Sequence, residues 1–152
     1  MTQALDLPAP SGLRAELADG FASFAQSFWR DGGCPPRTLE LCRLRIAAIH
    51  DCDAEWLRRH PDQSLTDTEL TALKAGDFRA FSDAEQSALT VAEKTPFNHH
   101  GISDADVTAM EDLLGSAGAV SVLTATAFFD TTCRWQLVMP STTTHSNPGK
   151  EL

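Results

Sequence analysis

Three times between residues 66 and 106 a hydroxyl side chain stands three positions before a carboxylate: Thr66 before Glu69, Ser82 before Glu85, Ser103 before Asp106. In such a box the hydroxyl oxygen accepts from an orphan amide of the first helical turn, and the acid reaches back to the amide of the hydroxyl residue. The acid also complements the helix dipole. The boxes predict helices over about 67–75, 83–94 and 104–114, the first closing at Gly76. Upstream, Leu13, Leu17, Phe21, Phe24 and Phe28 recur at steps of three and four and paint one face of a helix. Gly20 weakens that helix and Gly32-Gly33 ends it; Pro35 and Pro36 suit the first turn of the next. From Thr38 to about His50 the set Leu39, Cys42, Ile46 and Ile49 keeps helical spacing, with Glu40, Arg43 and Arg45 off the stripe. A short segment, 51–60, reads as helical up to Pro61. The last helix, about 117–138, is apolar on nearly every side, which suits a central position or an oligomer interface, and Pro140 stops it. Runs of alternating residues long enough for a sheet do not occur. The expected fold class is therefore all-α: a single compact helical domain over 1–140, then a polar, turn-rich, mobile tail over 141–152.

A length of 152 residues suits one domain of ordinary size. Twelve basic against twenty-one acidic residues leave a net charge of −9. Such a surface is poorly made for phosphates or anionic lipid, so nucleic acid and membrane are not expected partners. An apolar share of 42% is high enough to build a core. The first eleven residues lack the basic start and apolar run of a secretory signal. The longest uncharged apolar stretch, 116–129, ends at Asp130 and is short for a bilayer. A soluble, cytoplasmic protein is expected. Cys34, Cys42, Cys52 and Cys133 form no C-x-x-C pair and no zinc-finger spacing with histidine, so four reduced thiols are expected, with no metal and no cofactor. His99 and His100 read as loop residues whose adjacent side chains diverge.

Cys52 is the first candidate for chemistry, because it falls where one helix gives way to the next. In the first turn of a following helix, free amides and the dipole favour the thiolate, the nucleophilic form. On a continuous helix Glu55 and Arg59 share its face at offsets of three and seven, and pair with each other at i, i+4. Glu40, twelve residues earlier, is brought back toward Cys52 by an antiparallel return, where a carboxylate can accept a thiol proton. The plainer reading makes Cys52 a packed small residue and the charged residues a solvated face.

The run Pro36-Arg37-Thr38-Leu39-Glu40-Leu41-Cys42-Arg43-Leu44-Arg45-Ile46-Ala47-Ala48 resembles a helix leading into a redox site. The likeness continues through 70–77, 81–85, 91–94 and 102–104 to a late helix with Phe128, Phe129 and Arg134. Colinear over about 13–138, the chain resembles the carboxymuconolactone decarboxylase-like family that includes the alkylhydroperoxidase D proteins, in its peroxidase-related subgroup. The resemblance implies the helical fold of alkylhydroperoxidase D and a trimeric or hexameric homo-oligomer. That family's signature is a glutamate followed, twelve residues later, by C-x-x-C-x-x-x-H. Glu40 and Cys52 fit its first two positions; Glu55 stands in the second cysteine's place, Arg59 in the histidine's, and Ala54 where some members carry a relay histidine. His60 lies one residue beyond, a rotation of about 100° on a helix.

The resemblance implies three readings. One is a thiol peroxidase with a one-cysteine or degenerate site, in which Cys52 forms a sulfenic acid that an external thiol resolves. Cys42 is a geometrically uncertain substitute for the lost partner thiol. Another is a non-redox enzyme of the decarboxylase type, with Arg59 holding a small carboxylate and a glutamate moving a proton. The last is a helical binding protein without catalysis. Glu40, Glu55 and Arg59 are expected to share one polar pocket with Cys52, the two acids raising its thiol pKa.

Overall fold

The computed structural model describes residues 7, 12–30 and 33–139. Among these lie six α-helices and no strand: α1 (Ala15–Arg30), α2 (Pro36–Ile49), α3 (Asp53–Leu57), α4 (Asp67–Ala75), α5 (Asp83–Lys94) and α6 (Asp104–Val138), with a 3-10 turn at His99–Gly101. The expectations about Gly32, Pro140, the first residues and the tail lie largely outside the described residues.

All three boxes form. The Thr66 hydroxyl accepts from the Glu69 amide at 3.2 Å while Thr66 N–H donates to Glu69 Oε2 at 2.8 Å. Ser82 with Glu85 and Ser103 with Asp106 repeat the exchange and open α5 and α6. Arg37 then uses two of the boxes, donating to Glu69 and to Glu85 at 2.5 and 2.8 Å and tying α2 to the starts of α4 and α5.

The two late helices run together as α6, but Gly115 at φ 74°, ψ 164° breaks their axis. Only glycine reaches that region without heavy strain. One turn on, a Cβ at Gly118 would lie 2.9 Å from the Gly33 carbonyl oxygen, so α6 and the entry to α2 meet backbone to backbone.

α2 is the centre of the domain, flanked by each of the other helices. Every residue from Thr38 to Ala47 is buried. One side sets Leu39, Cys42 and Ile46 in a core with Val91, Val122 and Phe129; another sets Leu41 and Leu44 among Leu73, Phe81 and Leu89. Each such side chain contributes about 1.5–3 kcal/mol when fully buried. Glu40, Arg43 and Arg45 consequently do not form a solvated face; a helix packed all round has none to offer. Arg45 pairs with Glu93 of α5 and donates to the Leu73 and Lys74 carbonyls at the end of α4, at 2.8 and 3.0 Å.

α1 lays its phenylalanines on α6, with Phe21, Phe24 and Phe28 at 4.9, 5.4 and 5.5 Å from the Phe128 ring. Phe24 and Leu17 stay half exposed, as does part of the outer face of α6 at Val120, Leu137 and Val138. By length and composition α6 is apolar enough to cross a membrane, longer than the apolar stretch alone suggests. It packs against α2 and α5, and its Asp130 is held by His50 at 2.6 Å and Arg134 at 2.9 Å, an arrangement compatible with a soluble protein. The His99 and His100 rings do not diverge; their centroids are 4.0 Å apart, because the 3-10 turn brings the neighbours round together.

Candidate functional site

Cys52 owes its place to the way α2 ends. Asp51 N–H donates to the Ala48 carbonyl (3.3 Å) and Cys52 N–H to the Ala47 carbonyl (2.9 Å), the paired bonds of a Schellman stop. Asp51 takes the left-handed position at φ 50°, which aspartate tolerates better than most residues. Cys52 follows as the residue before α3, at φ −88°, ψ 85°, buried but outside regular helix.

A buried charge network lies alongside. Arg43 donates Nε and Nη2 to the two oxygens of Glu40, both at 2.8 Å, and Nη1 to the Glu55 carboxylate at 3.1 Å and carbonyl at 2.8 Å. Nη2 also reaches the Arg58 carbonyl at 2.5 Å. Burial works against the guanidinium charge, but the Glu40 bonds and the charges of Glu40 and Glu55 outweigh it and hold the pKa above its ordinary value. Glu40 takes one more bond, from the His60 amide at 3.0 Å. Glu55 is further held by Arg58 (2.9 Å) and Gln136 (3.5 Å). One guanidinium therefore fastens α2, α3 and the chain beyond it.

The four expected residues take different hydrogen-bond and stacking partners. Glu40 and Glu55 meet through Arg43, and among the described residues neither forms a side-chain hydrogen bond to Cys52. Arg59 does not pair with Glu55: α3 stops at Leu57 and Arg58 is extended (φ −75°, ψ 124°), so the i, i+4 relation is lost and Arg58 takes the carboxylate. Arg59 instead stacks over Trp56, 4.9 Å from the ring centroid, with Nη1 buried and unpartnered. Burial and the nearby Arg43 charge depress its pKa, partly offset by Glu40. The crevice at Cys52, about 10 Å³, is lined by Ala47, Ala48, Asp51, Asp53, Trp56 and Lys74. It has room for about one water.

The sulfur's neighbour is Cys133 of α6. Cys52 Sγ lies 4.0 Å from the Cys133 carbonyl oxygen, and both residues are 1% exposed. Hydrogen bonding from the Cys133 thiol brings the Cys52 pKa down to about 7, against burial; the Glu55 amide helps, and the charges of Glu55 and Asp53 oppose. The expected rise is thus reversed, because Cys133 supplies a donor and Glu40 is spent on Arg43. Cys133 is pushed upward by the same bond and by burial, with Arg43 pulling the other way. Burial pushes the Cys42 thiol up, and the charges of Cys34 and Glu85 add to the rise. Among the described residues no group of three His, Cys, Asp or Glu is arranged to hold a metal. Arg43 and Cys133 are the residues that sequence reasoning missed. Arg43 stood in the resembling run beside Glu40, which was its one available signal; Cys133 had none.

The family described as the carboxymuconolactone decarboxylase family matches residues 15–94, a span holding α1 to α5 and both halves of the Arg43 network. No curated protein matches the chain.

Proposed function

Because this chain belongs to the carboxymuconolactone decarboxylase family, we propose that it is a thiol-dependent peroxidase working through Cys52. The observation that carries this reading is the Cys133 residue set against the Cys52 sulfur where α2 ends, a setting in which the Cys52 thiol is lowered from its ordinary value and the thiolate favoured. The thiolate attacks one oxygen of a hydroperoxide, the O–O bond breaks, and the alkoxide or hydroxide leaves and takes up a proton. Cys52 becomes a sulfenic acid and the peroxide an alcohol or water. A crevice with room for about one water disfavours bulky hydroperoxides. An external thiol returns the enzyme to its reduced form. Glu40, Arg43 and Glu55 position the turn that carries Cys52 and do not touch the peroxide.

Arg59 supports a second reading. Its unpartnered Nη1 suits a small carboxylate, as a non-redox enzyme of the decarboxylase type requires. Exposed apolar side chains on α1 and α6, Leu17, Phe24, Val120, Leu137 and Val138, support a homo-oligomer, a trimer or hexamer, tested by light scattering at micromolar concentration. A reducing, cytoplasmic setting fits four free thiols.

The test is peroxide consumption with a thiol reductant, wild type against Cys52→Ser, with mass spectrometry of Cys52 after mild peroxide. Loss of turnover in the variant and an oxidised Cys52 in the wild type support the reading. Equal consumption by both, with Cys52 unmodified, overturns it. Carboxylate binding that disappears in Arg59→Ala then favours the second reading, and its absence leaves a helical binding protein.

A further inference from the structure

We infer that Cys52 and Cys133 are a dithiol couple, closed by a disulfide between the α2–α3 turn and α6. This deepens the reading of Cys52 as the peroxide-reactive thiol by naming the group that resolves it.

The two residues are 81 positions apart, and the Cys52 thiol points at Cys133, with Sγ 4.0 Å from the Cys133 carbonyl oxygen as its hydrogen-bond acceptor. Both are buried among apolar side chains of one core. A disulfide needs its sulfurs about 2.0 Å apart, so the pair must close somewhat. Cys52 belongs to a turn and can yield without unwinding a helix, whereas Cys133 is fixed within α6.

The chemistry balances. Peroxide converts Cys52 to the sulfenic acid and leaves as alcohol or water. The Cys133 sulfur then attacks the Cys52 sulfur; the S–O bond breaks and the Cys133 proton departs with the oxygen as water. Two molecules of an external thiol reduce the disulfide and emerge as their own disulfide. A thiol beside the sulfenic acid also protects it from over-oxidation to sulfinic acid.

The full chain is treated in one arm with diamide, a diazene that takes two hydrogens from a thiol pair, and in another with one equivalent of hydrogen peroxide. Peptides are then mapped without reduction. A 52–133 linkage in both arms supports the couple and the peroxidase reading together. Linkage with diamide alone upholds the couple and removes the peroxidase reading. Cys52 sulfenate trapped by a 1,3-dione, with no 52–133 linkage in either arm, overturns the couple and leaves a one-cysteine peroxidase. No reaction in either arm overturns both. In Cys133→Ser, trapped sulfenate should rise several-fold over wild type under peroxide; an unchanged yield speaks against Cys133 as the resolving thiol.

Discussion

Arg43 holds both carboxylate oxygens of Glu40 from three positions further along the same helix, and neither side chain is more than 1% exposed. A buried guanidinium stripped of its partners, or a carboxylate left without it, is costly in a way that a surface pair is not. Arg43→Ala should lower unfolding free energy by about 3–5 kcal/mol. Arg58→Ala, which removes the half-exposed arginine on Glu55, should cost about 1 kcal/mol or less. Urea denaturation of the two variants checks the contrast. Equal losses would mean that Arg43 is not the fastening point. The paired change Glu40→Gln with Arg43→Met should cost less than Arg43→Ala alone, since the Glu40 charge is then not left buried without its partner and Glu55 keeps Arg58.

Alkylation of Cys52 by a small reagent should rise with pH around a midpoint near 7, the folded-state value. The thiolate is the reacting form, so the rate falls as pH drops through that value. Cys133→Ala removes the donor, and the midpoint should climb toward the ordinary thiol value of 9.0. A midpoint that stays near 7 in the variant would assign the shift to the α3 backbone instead.

Asp106 accepts from Lys94, from the Ser103 amide and from the Ser103 hydroxyl, and these bonds hold its pKa at about 2 against an ordinary 3.8. A depressed acid contributes stability that is complete above its unfolded value and disappears as pH falls through its folded value. The gap in thermal stability between wild type and Asp106→Asn should therefore be full at pH 6 and narrow from about pH 4 to about pH 2. A constant gap across that window contradicts it. Ser103→Ala removes the other half of the box and should cost about 1 kcal/mol.

Asp51 stands in left-handed backbone at the stop of α2. Asp51→Gly should leave stability unchanged or raise it by up to about 1 kcal/mol, and Asp51→Val should lower it by about 1–2 kcal/mol. Because Cys52 is the next residue, the valine variant should also slow Cys52 alkylation. Thermal melts and the alkylation rate together check this.

What was legible in the sequence was local. The boxes at Thr66, Ser82 and Ser103 are written within four residues each and formed as read. Cys52 was legible through its place after a resembling helix. The role of Arg43 was not legible because a stripe drawn through α2 separates one packed face from the rest, and this helix is buried on every side. Its partners lie three, twelve and fifteen residues away, a mixture no periodicity encodes. Arg59 was given to Glu55 on the assumption that α3 continues; it stops after five residues. Cys133 sits in an apolar run where a cysteine looks like any small core residue, and only the tertiary return of α6 brings it to Cys52.

The last carbonyls of α4 are capped by Arg45 of α2, which is itself pinned by Glu93 of α5. Fraying the end of α4 therefore means withdrawing a buried arginine from the middle of the domain. In native-state hydrogen exchange, where helix ends ordinarily open on their own, the final turn of α4 should open only together with α2 and α5, as one cooperative unit.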